Sequence, residues 1–102
     1  MINIQQCESI DEVRANIDRI DTLLVGLIAE RSQYVKQAAK FKKNTTEVKA
    51  ASRVEQIIKK VIAQANELHA PSSVVEAVYR TMINEFIHAE LSEHETINRE
   101  HT

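Results

Sequence analysis

Basic side chains stand in this sequence where an apolar helix face is expected. Arg31 falls at the same position of a seven-residue apolar repeat as Ile17 and Leu24. A guanidinium on such a face is costly unless an anion binds it, and that anion could belong to a neighbouring helix or to a ligand. Lys42 follows 11 residues later, which on a continuous helix returns to within about 20° of the same face. The two cations therefore point the same way, which fits either an ion pair with a neighbouring helix or a site for an anionic ligand.

Two further charged residues extend this argument. Arg14 lies 17 residues before Arg31, about 100° around the helix, so it points elsewhere in its own chain but could reach a site built by a partner protomer. Glu90 follows Ile83 and Phe86 at helical spacing, which places a carboxylate on an apolar stripe and predicts a raised pKa. Glu90 could pair with Arg31, extend to solvent, or donate a hydrogen bond to a substrate oxygen when protonated.

Other catalytic chemistry has little support in the sequence. His88, His94 and His101 match no standard set of metal ligands, so no metal is expected. Cys7 has neither a His nor a helix N-terminus placed to activate it. No cofactor is expected either, because the sequence contains no glycine-rich phosphate loop. Any reaction would have to proceed without a nucleophile or a metal.

The elements that position these residues are helices. The chain has 102 residues with a single Gly and a single Pro, whereas Gly and Pro make up about 12% of an average soluble chain, so a turn-rich all-β fold is excluded. Apolar residues recur at helical spacing in one all-α domain covering 1–102. The three predicted helices cover about 10–42, 52–68 and 72–93.

Local signals mark where these helices begin and end. Ser9 with Glu12, and Ser52 with Glu55, have the spacing of capping boxes at the first two helix starts. His69 is expected in the turn before Pro71, which suits the start of the third helix, and the tail after residue 94 lacks periodicity and is expected to fray. The apolar stripes of the second and third helices comprise Val54, Ile57, Ile58, Val61, Ile62, Ala65 and Leu68, and Val75, Val78, Tyr79, Met82, Ile83, Phe86 and Ile87.

The predicted length of the first helix bears on oligomeric state. From Ile10 to Phe41 it would span roughly 48 Å, whereas a compact domain of this size has a radius of gyration of about 13 Å. Such a helix exposes an apolar seam unless another copy covers it. The sequence therefore predicts an obligate homodimer of three-helix protomers.

Charge and targeting signals narrow the class of protein further. The formal net charge is -2, and the lysine-rich segment 36–60 lacks the aromatic interleaving of a nucleic-acid surface, so neither a nucleic-acid nor a membrane partner is expected. The first residues do not resemble a signal peptide, and no apolar stretch approaches the roughly 20 residues that cross a bilayer. A soluble, cytoplasmic protein is the expectation.

Several motifs together resemble the all-α (type II) chorismate mutases, and within them the salicylate-forming isochorismate pyruvate lyases. They are R-x-x-I-D-x-I-D at 14–21, A-E-R at 29–31, Y-V-K-x-A-x-x-F-K at 34–42, and Arg53 near the start of the second helix. The resemblance covers almost the whole chain and implies an intertwined dimer of three-helix protomers. It also implies a dicarboxylate substrate, isochorismate or chorismate, in sites shared between protomers.

The resemblance implies a role for each charged residue. Arg31, with Arg14 of the other protomer, would clamp the two carboxylates of a cyclohexadiene enolpyruvyl ether. Lys42 would meet a carboxylate and the ether oxygen. Glu90 matches a position, commonly Gln, that donates a hydrogen bond to the same oxygen, and Arg53 matches a further arginine of the family. Lys42 and Glu90 are thus the expected catalytic residues.

The sequence departs from the housekeeping mutases at two positions. Those enzymes usually have Glu after the arginine that Arg53 matches, where it serves the ring hydroxyl of chorismate, whereas here Val54 follows. This difference favours a lyase with weaker mutase activity over a dedicated chorismate mutase. The second departure is Glu90, which can donate only when protonated. A non-catalytic helical adaptor is the remaining alternative.

Overall fold

The chain forms three helices over the residues that the structure, a computed structural model, describes: 4–41 and 51–100, with side chains described for 4–41 and 53–92. They are α1 (Ile10–Ala39), α2 (Ala51–Glu67) and α3 (Ser72–Glu100). The chain divides into two compact units, Met1–Gln33 and Tyr34–Thr102, and α1 runs from the first into the second. Within the described part of the chain no helix is long and apolar enough to span a membrane.

The start of α1 is a side-chain cap built as the spacing predicts. The backbone N–H of Glu12 donates to Ser9 Oγ at 3.2 Å, and the backbone N–H of Val13 donates to the Ser9 carbonyl at 3.3 Å. The Glu12 carboxylate accepts in return from the backbone N–H of Glu8 at 2.9 Å, one residue before the position of a standard capping box. The predicted cap is therefore confirmed, with this shift.

The end of α1 comes earlier than residue 42. Backbone N–H groups of Lys40 and Phe41 donate to the carbonyls of Gln37 and Ala38, at 3.2 and 3.0 Å, and this tighter i→i−3 pattern closes the last turn. The α-helix ends at Ala39. The prediction that α1 continues to residue 42 is not supported, and Lys42 itself lies outside the described residues.

The turn between α2 and α3 carries a left-handed residue. His69 has φ 58°, its N–H donates to the Asn66 carbonyl at 3.3 Å, and the N–H of Ala70 donates to the Ala65 carbonyl at 2.8 Å. This pair of bonds is a Schellman motif with His in the place that Gly usually takes. The Pro71 carbonyl then accepts from the N–H of Val74 at 3.1 Å and opens α3. The turn predicted at His69 is confirmed.

The buried side chains of the second unit come from the predicted stripes and from the end of α1. They are Ala39, Ile58, Val61, Ala65 and Ile83. Two stripe residues are exposed instead, because Leu68 lies at the turn and Val78 faces away from the packed side of α3. The α3 helix continues to Glu100, so the prediction of a frayed tail after residue 94 is wrong. Residues 95–100 contain neither Gly nor Pro, so their helix propensity permits a helix. An apolar stripe is not required for the backbone hydrogen bonds to form.

Candidate active site

Arg14 and Arg31 lie on α1 in the first unit. Arg14 is exposed in the second turn, just after the Ser9 cap, and Arg31 is half-buried. Seventeen residues of α-helix separate them by about 26 Å along the axis and about 100° around it. A molecule with two nearby carboxylates cannot span that distance. One chain therefore does not bring these two arginines together.

Lys42 cannot be placed by the helix argument. The expected 20° offset from Arg31 assumed a helix through residue 42, and α1 ends at Ala39. Lys42 lies outside the described residues, so its role stays an expectation from the family resemblance.

Arg53 is the third residue of α2 and is exposed. Glu55, two residues later, faces α3 because its carboxylate binds Arg80. Two residues of helix turn through about 200°, so Arg53 lies on the side of α2 away from Arg80. Its guanidinium is accessible to a ligand or a second chain, and it is not held by α3.

Glu90 lies on α3 and is half-buried, with its Oε2 atom buried. The Glu55–Arg80 contact fixes the register of the antiparallel pair α2 and α3. From Arg80, Glu90 lies about 15 Å further along α3, whereas α2 extends only about 6 Å from Glu55 back to Ala51. Glu90 therefore lies beyond the start of α2, and about 12 Å from the level of Arg53. By this helix arithmetic, Arg53 and Glu90 lie at different levels along the packed pair.

The packed pair of helices carries an ion-pair cluster that the sequence analysis missed. Arg80 donates to both carboxylate oxygens of Glu55, at 2.9 and 3.3 Å, and through Nε to Glu76 Oε2 at 2.8 Å. The Arg80 hydrogen bonds, and then its charge, lower the pKa of Glu55 below its usual value. The hydrogen bonds to Glu55 and Glu76 raise the pKa of Arg80. The i,i+4 spacing of Glu76 and Arg80 was the available signal.

This cluster also corrects the second predicted capping box. Ser52 lies inside α2, which begins at Ala51, and so it is not the N-cap residue. The Glu55 carboxylate, which the box required, binds Arg80.

Comparison with known proteins places these residues in a family. Residues 13–91 match the family described as chorismate mutase type II. The chain is also similar to the isochorismate pyruvate lyase of Pseudomonas aeruginosa, with 29% identity over 83 residues, 81% of this chain and 82% of that protein. The match spans Arg14, Arg31, Arg53 and Glu90 and includes all of α2. The chain belongs to the chorismate mutase type II family of all-α enzymes.

Proposed function

We propose that this chain is an isochorismate pyruvate lyase, which forms salicylate and pyruvate from isochorismate, with secondary chorismate mutase activity. The observation that carries the proposal is the similarity, over 81% of the chain, to the lyase of Pseudomonas aeruginosa. The second support is Val54 after Arg53, because a ring-hydroxyl partner for chorismate is missing there. The reaction as proposed uses no cofactor.

The chemistry of this reaction requires few protein groups. A hydrogen passes from the ring of isochorismate to the methylene carbon of the enolpyruvyl group while the ether C–O bond breaks. The ring becomes aromatic and pyruvate leaves, so all atoms are accounted for. Negative charge develops on the ether oxygen, and donors already held there stabilise the transition state. A clamp on the two carboxylates holds the reactive conformer.

Each charged residue has one task in this proposal. Arg31 and Arg14 of the partner subunit bind the two carboxylates, since guanidinium groups suit bidentate carboxylate recognition. Lys42 contacts a carboxylate and the ether oxygen. Protonated Glu90 donates to the same oxygen, and Arg53 adds positive charge at the mouth of the site.

The middle of α1 supports the dimer that this arrangement needs. The six residues 23–28 read LLVGLI, and at 100° per residue their side chains point in all directions around the helix. The five large ones are 44–66% exposed in the single chain. One neighbouring helix covers only one stripe. A helix that is apolar on every side is instead enclosed by several elements, which favours an intertwined dimer over a side-by-side coiled coil.

Mixing two inactive variants tests the shared site. Arg14→Ala and Arg31→Ala should each lose about a hundredfold or more in kcat/KM, because the carboxylate clamp is broken. After subunit exchange, about half of the dimers are mixed, and each mixed dimer has one site with both arginines. Activity should then return to about a quarter of the wild-type value. A mixture as inactive as its parents would contradict sites shared in this way.

The pH profile tests Glu90. If protonated Glu90 is the donor, activity falls as pH rises and the carboxyl ionises. Glu90→Gln keeps a donor at every pH and should flatten the profile toward neutral pH. Glu85→Gln, an exposed glutamate of the same helix, is the matched control and should keep the wild-type profile. An unchanged profile in Glu90→Gln would remove Glu90 from the proposed mechanism.

A dedicated chorismate mutase is the second candidate, and the name of the matched family favours it. Val54→Glu distinguishes the two candidates, because it restores the carboxylate that housekeeping mutases usually carry next to the arginine. For a lyase, Val54→Glu should shift the activity ratio from isochorismate toward chorismate. Val54→Gln is the matched control for side-chain size. A ratio that already favours chorismate in the wild type would support the mutase.

A further inference from the structure

A groove lies at the N-terminus of the first unit. It has a volume of ≈ 760 Å³ and runs between residues 4–7, here called the arm, and the first three turns of α1. Its floor is Val13, Ile17 and Ile20, which lie three or four residues apart and share one helix face. Arg19 is the charged residue among those that line it. The groove is therefore mainly apolar.

The arm is attached to α1 by side-chain hydrogen bonds. Asn16 Nδ2 donates to Cys7 Sγ at 3.6 Å and to the Glu12 carbonyl at 3.1 Å. The next residue, Glu8, donates its backbone N–H to the Glu12 carboxylate. Ile4, at the far end of the arm, is 77% exposed. The arm is thus tied to α1 at Cys7, and at its other end Ile4 presents an apolar side chain to solvent.

The floor of the groove indicates what fills it. Val13, Ile17 and Ile20 are all exposed in the single chain, and the same face continues along α1 to Leu24 and Leu27. That continuation is the seam which a second copy covers in the proposed dimer. A channel between a wall and a helix face accepts a ridge of side chains from another helix. A second copy of this chain is the occupant that fits both the chemistry and the continuity.

We infer that the arm is a second wall of the subunit interface, and that a helix of the partner chain seats between the arm and α1. This inference rests on the proposed dimer. The arm precedes residue 13, where the family match begins. The arm adjoins the turn that carries Arg14. A partner helix packed in the groove also holds Arg14 close to the active site of the partner subunit.

Substitution of Ile4 tests the inference. Ile4→Asp places a charge in the interface, and Ile4→Leu is the matched control that keeps an apolar side chain of the same size. Sedimentation equilibrium should give a dimer Kd at least about tenfold higher for each arm affected, and hence about a hundredfold higher for the symmetric dimer with two arms. Ile4→Leu should stay near the wild-type Kd. At subunit concentrations well above these Kd values, circular dichroism should show the same helix content in all three proteins, because Ile4 is exposed in the single chain.

A second variant acts on the arm without changing its apolar surface. Asn16→Ala removes the donor to Cys7 and should also raise the dimer Kd, because the free arm must be ordered again on association. At a fixed subunit concentration near the wild-type Kd, both weakening variants should lose activity that higher protein concentration restores.

The outcomes separate this inference from the proposed function. If the wild type is dimeric and Ile4→Asp has the same dimer Kd, the proposed role of the arm is wrong and the proposed enzymatic function is unaffected. A monomeric wild type would overturn both the dimer and the arm. A dimer that weakens as expected but turns over neither isochorismate nor chorismate would support the arm and contradict the proposed function.

Discussion

Leu27→Ala is the sharpest test of the seam on α1. Leu27 is 61% exposed in the single chain and lies within the apolar segment 23–28. Full burial of a leucine side chain contributes about 1.5–3 kcal/mol, so covering this exposed part contributes about 1–2 kcal/mol per copy. A symmetric dimer contains the residue twice, which gives about 2–4 kcal/mol.

This free energy converts into a measurable change in association. Each 1.4 kcal/mol is about tenfold in Kd, so Leu27→Ala should raise the dimer Kd by about 30-fold to 1,000-fold. Sedimentation equilibrium over a dilution series measures it directly. Ala is a better helix former than Leu, so circular dichroism should show that α1 persists. Gln33→Ala, at an exposed polar position of the same helix, is the control and should leave Kd unchanged.

Two results would refute the proposed burial of Leu27 in a dimer. If the Kd of Leu27→Ala stays within about threefold of the wild type, less than 1 kcal/mol is involved and Leu27 faces solvent in the dimer. If the wild type is monomeric at every concentration, the seam has another purpose, and the proposal of active sites shared between subunits is wrong.

Three further predictions concern the second unit. Ile58 is 2% exposed, so Ile58→Ala should lower the free energy of unfolding by about 2–5 kcal/mol in urea titrations; a loss below about 1 kcal/mol would contradict its place in the core. His69→Gly should raise stability by up to about 1 kcal/mol, because Gly adopts the left-handed conformation without strain; a lower melting temperature would argue against this. Arg80 lowers the pKa of Glu55 in the folded state. The resulting stabilisation is present above the unfolded-state pKa and is lost as pH falls through the folded-state pKa. Glu55→Gln should therefore be less stable than wild type near neutral pH and lose this difference in acid, whereas a difference that is constant with pH would exclude the ion pair as its source.

Features set by neighbouring residues could be read from the sequence. The Ser9 cap, the turn at His69 and the buried stripe through Ile58 each depend on contacts within a few residues or on one helix face. The positions of Arg14 and Arg31 along α1 followed from helical spacing in the same way. Both positions depend only on the geometry of a single helix.

Features set by tertiary contacts could not be read from it. Glu55 has the spacing of a capping residue, but a guanidinium 25 residues away binds it. The positions of Arg53 and Glu90 along the helix axes, relative to each other, depend on how the Glu55–Arg80 ion pair aligns α2 with α3. The α1 helix ends at Ala39 without a Gly or Pro to mark the end, and Lys42 lies outside the described residues, so its predicted angle stays a prediction.

Parallel assays of the purified protein with isochorismate and with chorismate show which reaction it catalyses. Salicylate fluorescence follows the first reaction, and loss of chorismate absorbance follows the second. We expect salicylate to form and kcat/KM to be higher for isochorismate than for chorismate. Prephenate formation without salicylate would contradict the proposed lyase activity. No turnover of either substrate from acidic to neutral pH would contradict the proposal that the protein is an enzyme.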